Sequence, residues 1–339
     1  MTSTARFCAL LVLFACLLSA APGLLTWAPP DTTVVFGINL EQIKPTKTGQ
    51  MLWAETDKND AALRQFIDRT GVDPRRDIAE IVVMVSGNNP DAKALLAVRG
   101  AFDLAKIKAA KAPGVTIGEY HGISMVTGSR EDATTKRNQP YAIALVSPVL
   151  VVVGDPESVR AAIDRQGKPG GLNSGLAAQA ELLAKSNDIW VAGRVPPEVK
   201  AKMAASPMTA MFQSTRQFGG GLKFGANIRF GFELVNSTPA DAKAISDMLR
   251  GFIAMAGATQ KQEAQAALQN IDMHVEGSTV KIALSVPEDE FIKGAQAGFD
   301  SVSAHMNAMM GPAPTPTPVP TGVTIYSSPG DMGTVKIDQ

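Results

Sequence analysis

The stretch that most constrains this chain is Tyr141 to Arg165, YAIALVSPVLVVVGDPESVRAAIDR. Two apolar runs flank Ser147-Pro148, which predicts a strand, a tight turn and a second strand. Asp155-Pro156-Glu157 then opens a helix, with a capping carboxylate followed by proline at the first helical position. The same grammar returns from Ile271 to Met306, where IDMHVEGSTVKIALS turns at Glu276-Gly277-Ser278 and Pro287-Glu288 opens the next helix. A strand-turn-strand-helix unit used twice predicts two similar halves built from antiparallel hairpins. The apolar run Val149 to Val153 further predicts a strand buried on both faces, so that a carboxylate at Val151 would unfold its half.

The other patterns fill in those halves. TTVVFGINL (32–40) alternates at the two-residue period, with Val34, Phe36, Ile38 and Leu40 on one face. A helix follows around Leu63, Phe66 and Ile67, and Gly71 stops it. The loop VDPRRD leads to the strands IAEIVVMVSG and KALLAVRG, and Asp103 caps a short helix, LAKIKAAKA. VTIGEY and ISMVTG form a hairpin at His121-Gly122, where glycine supplies a positive φ, and the polar run SREDATTKRNQP reads as an exposed loop.

After a Gly/Pro-dense linker, AAQAELLAKS is helical and NDIWVAGRV begins the second half as TTVVFGINL began the first. A helix opened by Pro196-Pro197-Glu198 follows, then two strands, RQFGGGLKFG and NIRFGFELVN. Their glycines read as bulges or a closely approaching neighbour. The longest helix opens at Ser237-Thr238-Pro239, and a last one carries Phe291, Ala295, Phe299, Val302, Met306 and Met309 on one face.

The expected fold class is therefore α+β: two similar units, each an antiparallel sheet with helices packed on one face. The first unit covers 30–166, the linker 167–175 and the second unit 176–310. Residues 311–322, GPAPTPTPVPTG, form an extended polyproline-type linker, and 323–339 is a C-terminal tail of two short strands tethered for contact with something else. The segment TGVDPRRD, the opening DIWVAGRVPPE and the duplicated α+β layout resemble a class of uncharacterised secreted bacterial proteins. That resemblance implies the architecture and export, and brings no activity and no catalytic residue with it.

Export is also read from residues 1–23, where a single charge at Arg6 precedes an apolar run from Phe7 to Ala21 broken by Pro22-Gly23, the pattern of a signal peptide. An uncleaved anchor and a lipoprotein modified at Cys16 are the alternatives, and they give the only expected membrane contact. Cys8 and Cys16 are the two cysteines of the sequence, and both lie in this leader. The exported chain then has no disulfide, thiolate metal site or cysteine nucleophile. Lys plus Arg equals Asp plus Glu at 32 each, so no net field draws in nucleic acid or an anionic surface.

Catalytic motifs fail on inspection. GKPGG lacks the residues of a phosphate-binding loop, GGGLKFG does not fit G-x-G-x-x-G, and neither a G-x-S-x-G elbow nor an H-E-x-x-H pair is present. The one constellation with metal-ligand chemistry is Asp272-x-His274-x-Glu276, since alternate residues of a strand share a face. Its bland counterpart is a solvated strand face with Lys281 pairing the acids. His121 sits at a hairpin tip and His305 on the last helix. Arg75-Arg76 between Asp73 and Asp77 offers an anion grip or simple internal pairing.

The chain thus reads as a non-enzymatic binding or structural protein of the cell envelope, periplasmic or extracellular in a bacterium, with no cofactor and with an unknown protein as partner. The first alternative is a periplasmic carrier of a hydrophobic ligand held between sheet and helices. The second is a metal-dependent hydrolase using Asp272, His274 and Glu276.

Overall fold

The structure is a computed structural model that describes residues 23–57, 61–87, 92–110, 114–131, 137–168, 171–205, 207–259 and 270–296. The expected leader to residue 22, His305, the proline-rich linker and the C-terminal tail lie outside the described residues. The strands are β1 (Thr32–Asn39), β2 (Ile78–Ser86), β3 (Lys93–Gly100), β4 (Thr116–Tyr120), β5 (Ile123–Glu131), β6 (Asn138–Ser147), β7 (Leu150–Gly154), β8 (Ile189–Arg194), β9 (Thr215–Lys223), β10 (Asn227–Asn236), β11 (Asp272–Glu276) and β12 (Thr279–Pro287). The helices are α1 (Leu40–Ile43), α2 (Lys47–Asp57), α3 (Ala61–Thr70), α4 (Pro74–Asp77), α5 (Leu104–Ala109), α6 (Pro156–Arg165), α7 (Ser174–Ser186), α8 (Pro197–Ala204), α9 (Pro207–Ala210) and α10 (Pro239–Thr259). Short 3-10 turns occupy Leu24–Trp27 and Met211–Ser214.

The α+β class holds, and two details differ from the expectation. The 12 strands of the described residues join in one antiparallel sheet, in the order β11-β12-β10-β9-β8-β1-β2-β3-β7-β6-β5-β4, and helices lie on both of its faces. The halves meet where β1 pairs β8, with Phe36 opposite Val191 and Gly37 opposite Trp190. Both strands are apolar on both sides, so each would be an aggregation-prone edge if left unpaired, and joining them removes two such edges.

From that seam outward the strand order is the same in each direction. β1-β2-β3 is followed by the hairpin β7-β6, and β8-β9-β10 by the hairpin β12-β11. The parallel breaks after each second hairpin strand. α6 packs Val159, Ala162 and Ile163 on the first face of the sheet, with Ala142, Ala144 and Val152. The helical residues 288–292 instead bring Phe291 to Phe230 on the second face, with ring centroids 5.9 Å apart.

The first face holds the largest core, in which Trp27 from the first 3-10 turn and Leu176 and Ala180 from α7 meet Val35, Met84, Leu95, Trp190 and Ala192. On the second face, α5 with Val72 and Phe102 covers Val98, Leu145 and Val151 at one end. At the other end α10 places Ala242 and Ile245 on Leu234, Met273 and Val280. Local signals position these helices as their sequences dictate. Asp155 accepts from Ser158 N–H (3.0 Å), Asp103 from Lys106 N–H (3.0 Å), and Thr238 Oγ1 from Asp241 N–H (3.1 Å). VDPRRD, expected as loop, closes into the single turn α4 because Asp73 caps it and Pro74 starts it. SREDATTKRNQP is partly strand, since β5 runs to Glu131 and β6 begins at Asn138.

Gly37 makes the seam possible. A Cβ there would lie 2.2 Å from Trp190 Cε2, so the indole lies directly across the backbone of β1. Gly37→Ala is expected to cost about 1–3 kcal/mol by overpacking, measured as a drop in melting temperature. Part of that loss should return when Trp190 is shortened to leucine in the same chain. An unchanged melting temperature for Gly37→Ala would show that the indole moves aside freely.

Candidate apolar trough on the second face

Among the described residues, no helix covers the middle of the second face between the helices at its two ends. Register places Phe36, Val191, Gly220, Phe232 and Ile282 on adjacent strands of this face, one beside the next. They line a hollow of about 400 Å³ with Ile189, Leu222, Phe230 and Leu284, and its walls are almost wholly carbon. Gly220 keeps this floor low. A Cβ there would lie 2.6 Å from Gly231 O and 2.7 Å from Phe232 Cδ2, which leaves room only for the bare backbone.

A second hollow, of about 640 Å³, begins at Phe232 and runs past Phe218, Val34 and Val85, walled by Val199 and Met203 of α8 and by Phe212. The threonine hydroxyls along it are already engaged: Thr33 Oγ1 donates to Val85 O (3.3 Å) and Thr215 Oγ1 to Asn236 Oδ1 (2.9 Å). A third hollow, of about 680 Å³, meets the second at Ala92 and lies on Leu96, Ile143 and Val153. Each volume falls in the range of small-molecule sites, and a mostly apolar lining is what such sites have. Phe232 is 40% exposed between two of them, an aromatic ring that no described helix covers. The first hollow, lined by apolar side chains, offers apolar contact and desolvation, while Arg194 lies in the wall of the second and Lys93, Arg130, Tyr141 and Asp155 in that of the third.

The sequence-read candidates lie elsewhere. Asp272, His274 and Glu276 do share one side of β11, at the edge of the sheet, but they do not converge. His274 Nδ1 is 3.6 Å from Asp272 Oδ2, whereas Glu276 is held by Lys281, whose hydrogen bond lowers the carboxyl's pKa. Among the described residues no group of three His, Cys, Asp or Glu side chains is placed to hold a metal ion. All three are exposed, and the helical residues 288–292 pack Phe291 on the other face. In the first half the corresponding residues Ala142 and Ala144 lie buried under α6.

His121 adopts φ 48° in the turn, with its ring against Tyr120 (4.4 Å between centroids) and Nε2 3.3 Å from Asp164. Tyr120 donates to both oxygens of that carboxylate (3.1 and 3.0 Å), so the tip is docked on α6. Arg75 pairs with Asp73 (2.8 Å) and Arg76 with Asp77 (2.6 Å), which commits both guanidinium groups internally.

Sequence reading missed the trough itself. A signal was present in GGGLKFG and NIRFGFELVN, where glycine and phenylalanine face one another across β9 and β10 (Gly220 opposite Phe232), but only the register shows that they do.

No family model and no curated protein matches this chain. Among solved structures it is similar to TP0453, a Treponema protein, in three crystal forms. Form I gives a TM-score of 0.45 at 12% identity, covering 79% of this chain and 94% of that one. Form III gives 0.47 at 12% (79% and 96%), and form IV gives 0.46 at 11% (80% and 95%). At those TM-scores nothing about function passes from TP0453 to this chain.

Proposed function

We propose that this chain is a non-enzymatic binding protein that holds a hydrophobic ligand in the trough on the second face of its sheet. The observation that carries the reading is the row Phe36, Val191, Gly220, Phe232 and Ile282. It is an apolar floor crossing five strands, open between α10 and α8 on one side and the α1 end on the other. Soluble proteins seldom leave a contiguous apolar surface of this kind uncovered unless something binds there. The export expected from residues 1–23 fits a carrier working in the cell envelope. Among the described residues no helix is long and apolar enough to cross a membrane.

Chain purified from its own host is expected to retain lipid in native mass spectrometry and to release it on solvent extraction. Oleate should displace the fluorescent probe diphenylhexatriene from the delipidated protein. Val191→Glu, which sets a carboxylate in the half-buried middle of the floor, should weaken probe binding at least tenfold, about 1.4 kcal/mol, with the fold retained by circular dichroism. Wild-type chain that carries no lipid and takes up neither oleate nor the probe would remove this reading.

A further inference from the structure

The third hollow gathers several polar side chains at one end, where the second has the single charged residue Arg194 beside its threonines. On the second face β5 and β6 continue the apolar column Val126, Ile143 and Val153 into Gly128 opposite Tyr141, and then Arg130 opposite Gln139. These last three side chains line the hollow of about 680 Å³ together with Leu96, Ile143 and Val153. Gly128 lets the Tyr141 ring lie across β5, since a Cβ there would stand 2.7 Å from the Tyr141 hydroxyl oxygen. Among the described residues neither the Arg130 guanidinium nor the Tyr141 hydroxyl makes a hydrogen bond or ion pair with the protein. That contrasts with Arg75, Arg76 and Arg99, which all have carboxylate partners.

Resting on the trough reading, we infer that Arg130, Tyr141 and Gln139 form the head-group end of the site, and that its ligand is an anionic amphiphile. A guanidinium fork with a neighbouring phenol and amide matches the planar acceptor geometry of a carboxylate or the oxygens of a phosphate. The apolar column leads from there over Leu96 to Ala92, where the second hollow begins, and on to Phe218 and Phe232. From Tyr141 on β6 to Phe218 on β9 the sheet order has six inter-strand spacings, which at about 4.8 Å each is roughly 29 Å. That is the reach of a head group with a long acyl chain, and far beyond that of a short metabolite. Carboxylate and phosphate heads share this chemistry, so the probes separate them.

The test uses delipidated full-length chain with three ligands of equal chain length, measured by calorimetry: oleate, oleoyl-lysophosphatidylglycerol and uncharged oleyl alcohol. Arg130→Gln is expected to weaken the carboxylate or the phosphate ligand about tenfold, whichever is native-like, and to leave oleyl alcohol unchanged. Tyr141→Phe should weaken the same ligand by a smaller factor while keeping the ring on Gly128. Val191→Glu should weaken all three. Equal binding of oleate and oleyl alcohol by the wild type, together with an Arg130→Gln chain that binds both anions normally, would overturn the head-group assignment and leave the trough standing. Failure of all three ligands to bind wild type would remove both.

Discussion

Val152→Asp is expected to abolish cooperative folding. Val152 is fully buried on β7, which lies between β3 and β6, and it stands opposite Ala97 on one neighbour and Ala144 on the other, beneath Val159 and Ala162 of α6. No cation or hydrogen-bond donor among these neighbours can receive a carboxylate, and burying one without a partner costs several kcal/mol. A whole domain has only about 5–15 kcal/mol of stability, so circular dichroism should show no sigmoidal melt. Val151→Asp should act alike through the other face, where Val151 packs with Val98 and Leu145. Val149, at the turn and 49% exposed, is the control: Val149→Asp should melt as the wild type does. A shift below about 2 °C for Val152→Asp would mean that α6 does not cover β7 in solution.

The second large effect is at Asp188, the buried residue that precedes β8. Its Oδ1 accepts from Lys223 Nζ (2.6 Å) and its Oδ2 from Phe224 N–H (2.8 Å), while its backbone carbonyl accepts from Asn39 N–H (2.7 Å). One residue thus ties β1, β8 and the end of β9 together, at the end of the seam between the halves. Asp188→Ala leaves the buried Phe224 N–H without an acceptor and Lys223 without a counter-ion. The lysine side chain is 31% exposed and can turn to water, so the expected loss is about 3 kcal/mol, the low end for breaking a buried pair. That corresponds to a fall in melting temperature on the order of 6–12 °C. Asp188→Asn keeps an acceptor for Phe224 and should lose roughly a third as much, within the range of one hydrogen bond. Equal losses for the two variants would show that the charge, and not the amide bond, holds this corner.

How far the sequence reached can be read from particular residues. The period-two alternation of Val34, Phe36 and Ile38, the Pro-opened helices and the His121-Gly122 turn placed strands, helices and hairpins correctly, because those signals are local and act within a few residues. Of the run Val149 to Val153, expected to be buried on both faces, Leu150, Val151 and Val152 are buried, whereas Val149 is 49% exposed because it lies in the turn before β7. The α+β class followed from these local signals alone.

Only the tertiary structure decided that β1 and β8 pair, that the two halves share a sheet, and that the helical residues 288–292 cross to the second face while α6 stays on the first. The strands at the seam are apolar on both sides, so nothing in their own pattern says which strand, or which helix, comes to lie against them. The trough is the clearest instance. Gly220 and Phe232 are twelve residues apart, and their meaning depends on a register that places them opposite one another and on described helices that leave Phe232 40% exposed. Arg130 and Gln139 likewise look like part of a polar loop until pairing sets them on the same face as Leu96 and Ile143. A sequence records each side chain's preference for water or oil; which faces are left without a cover is a property of the packed whole.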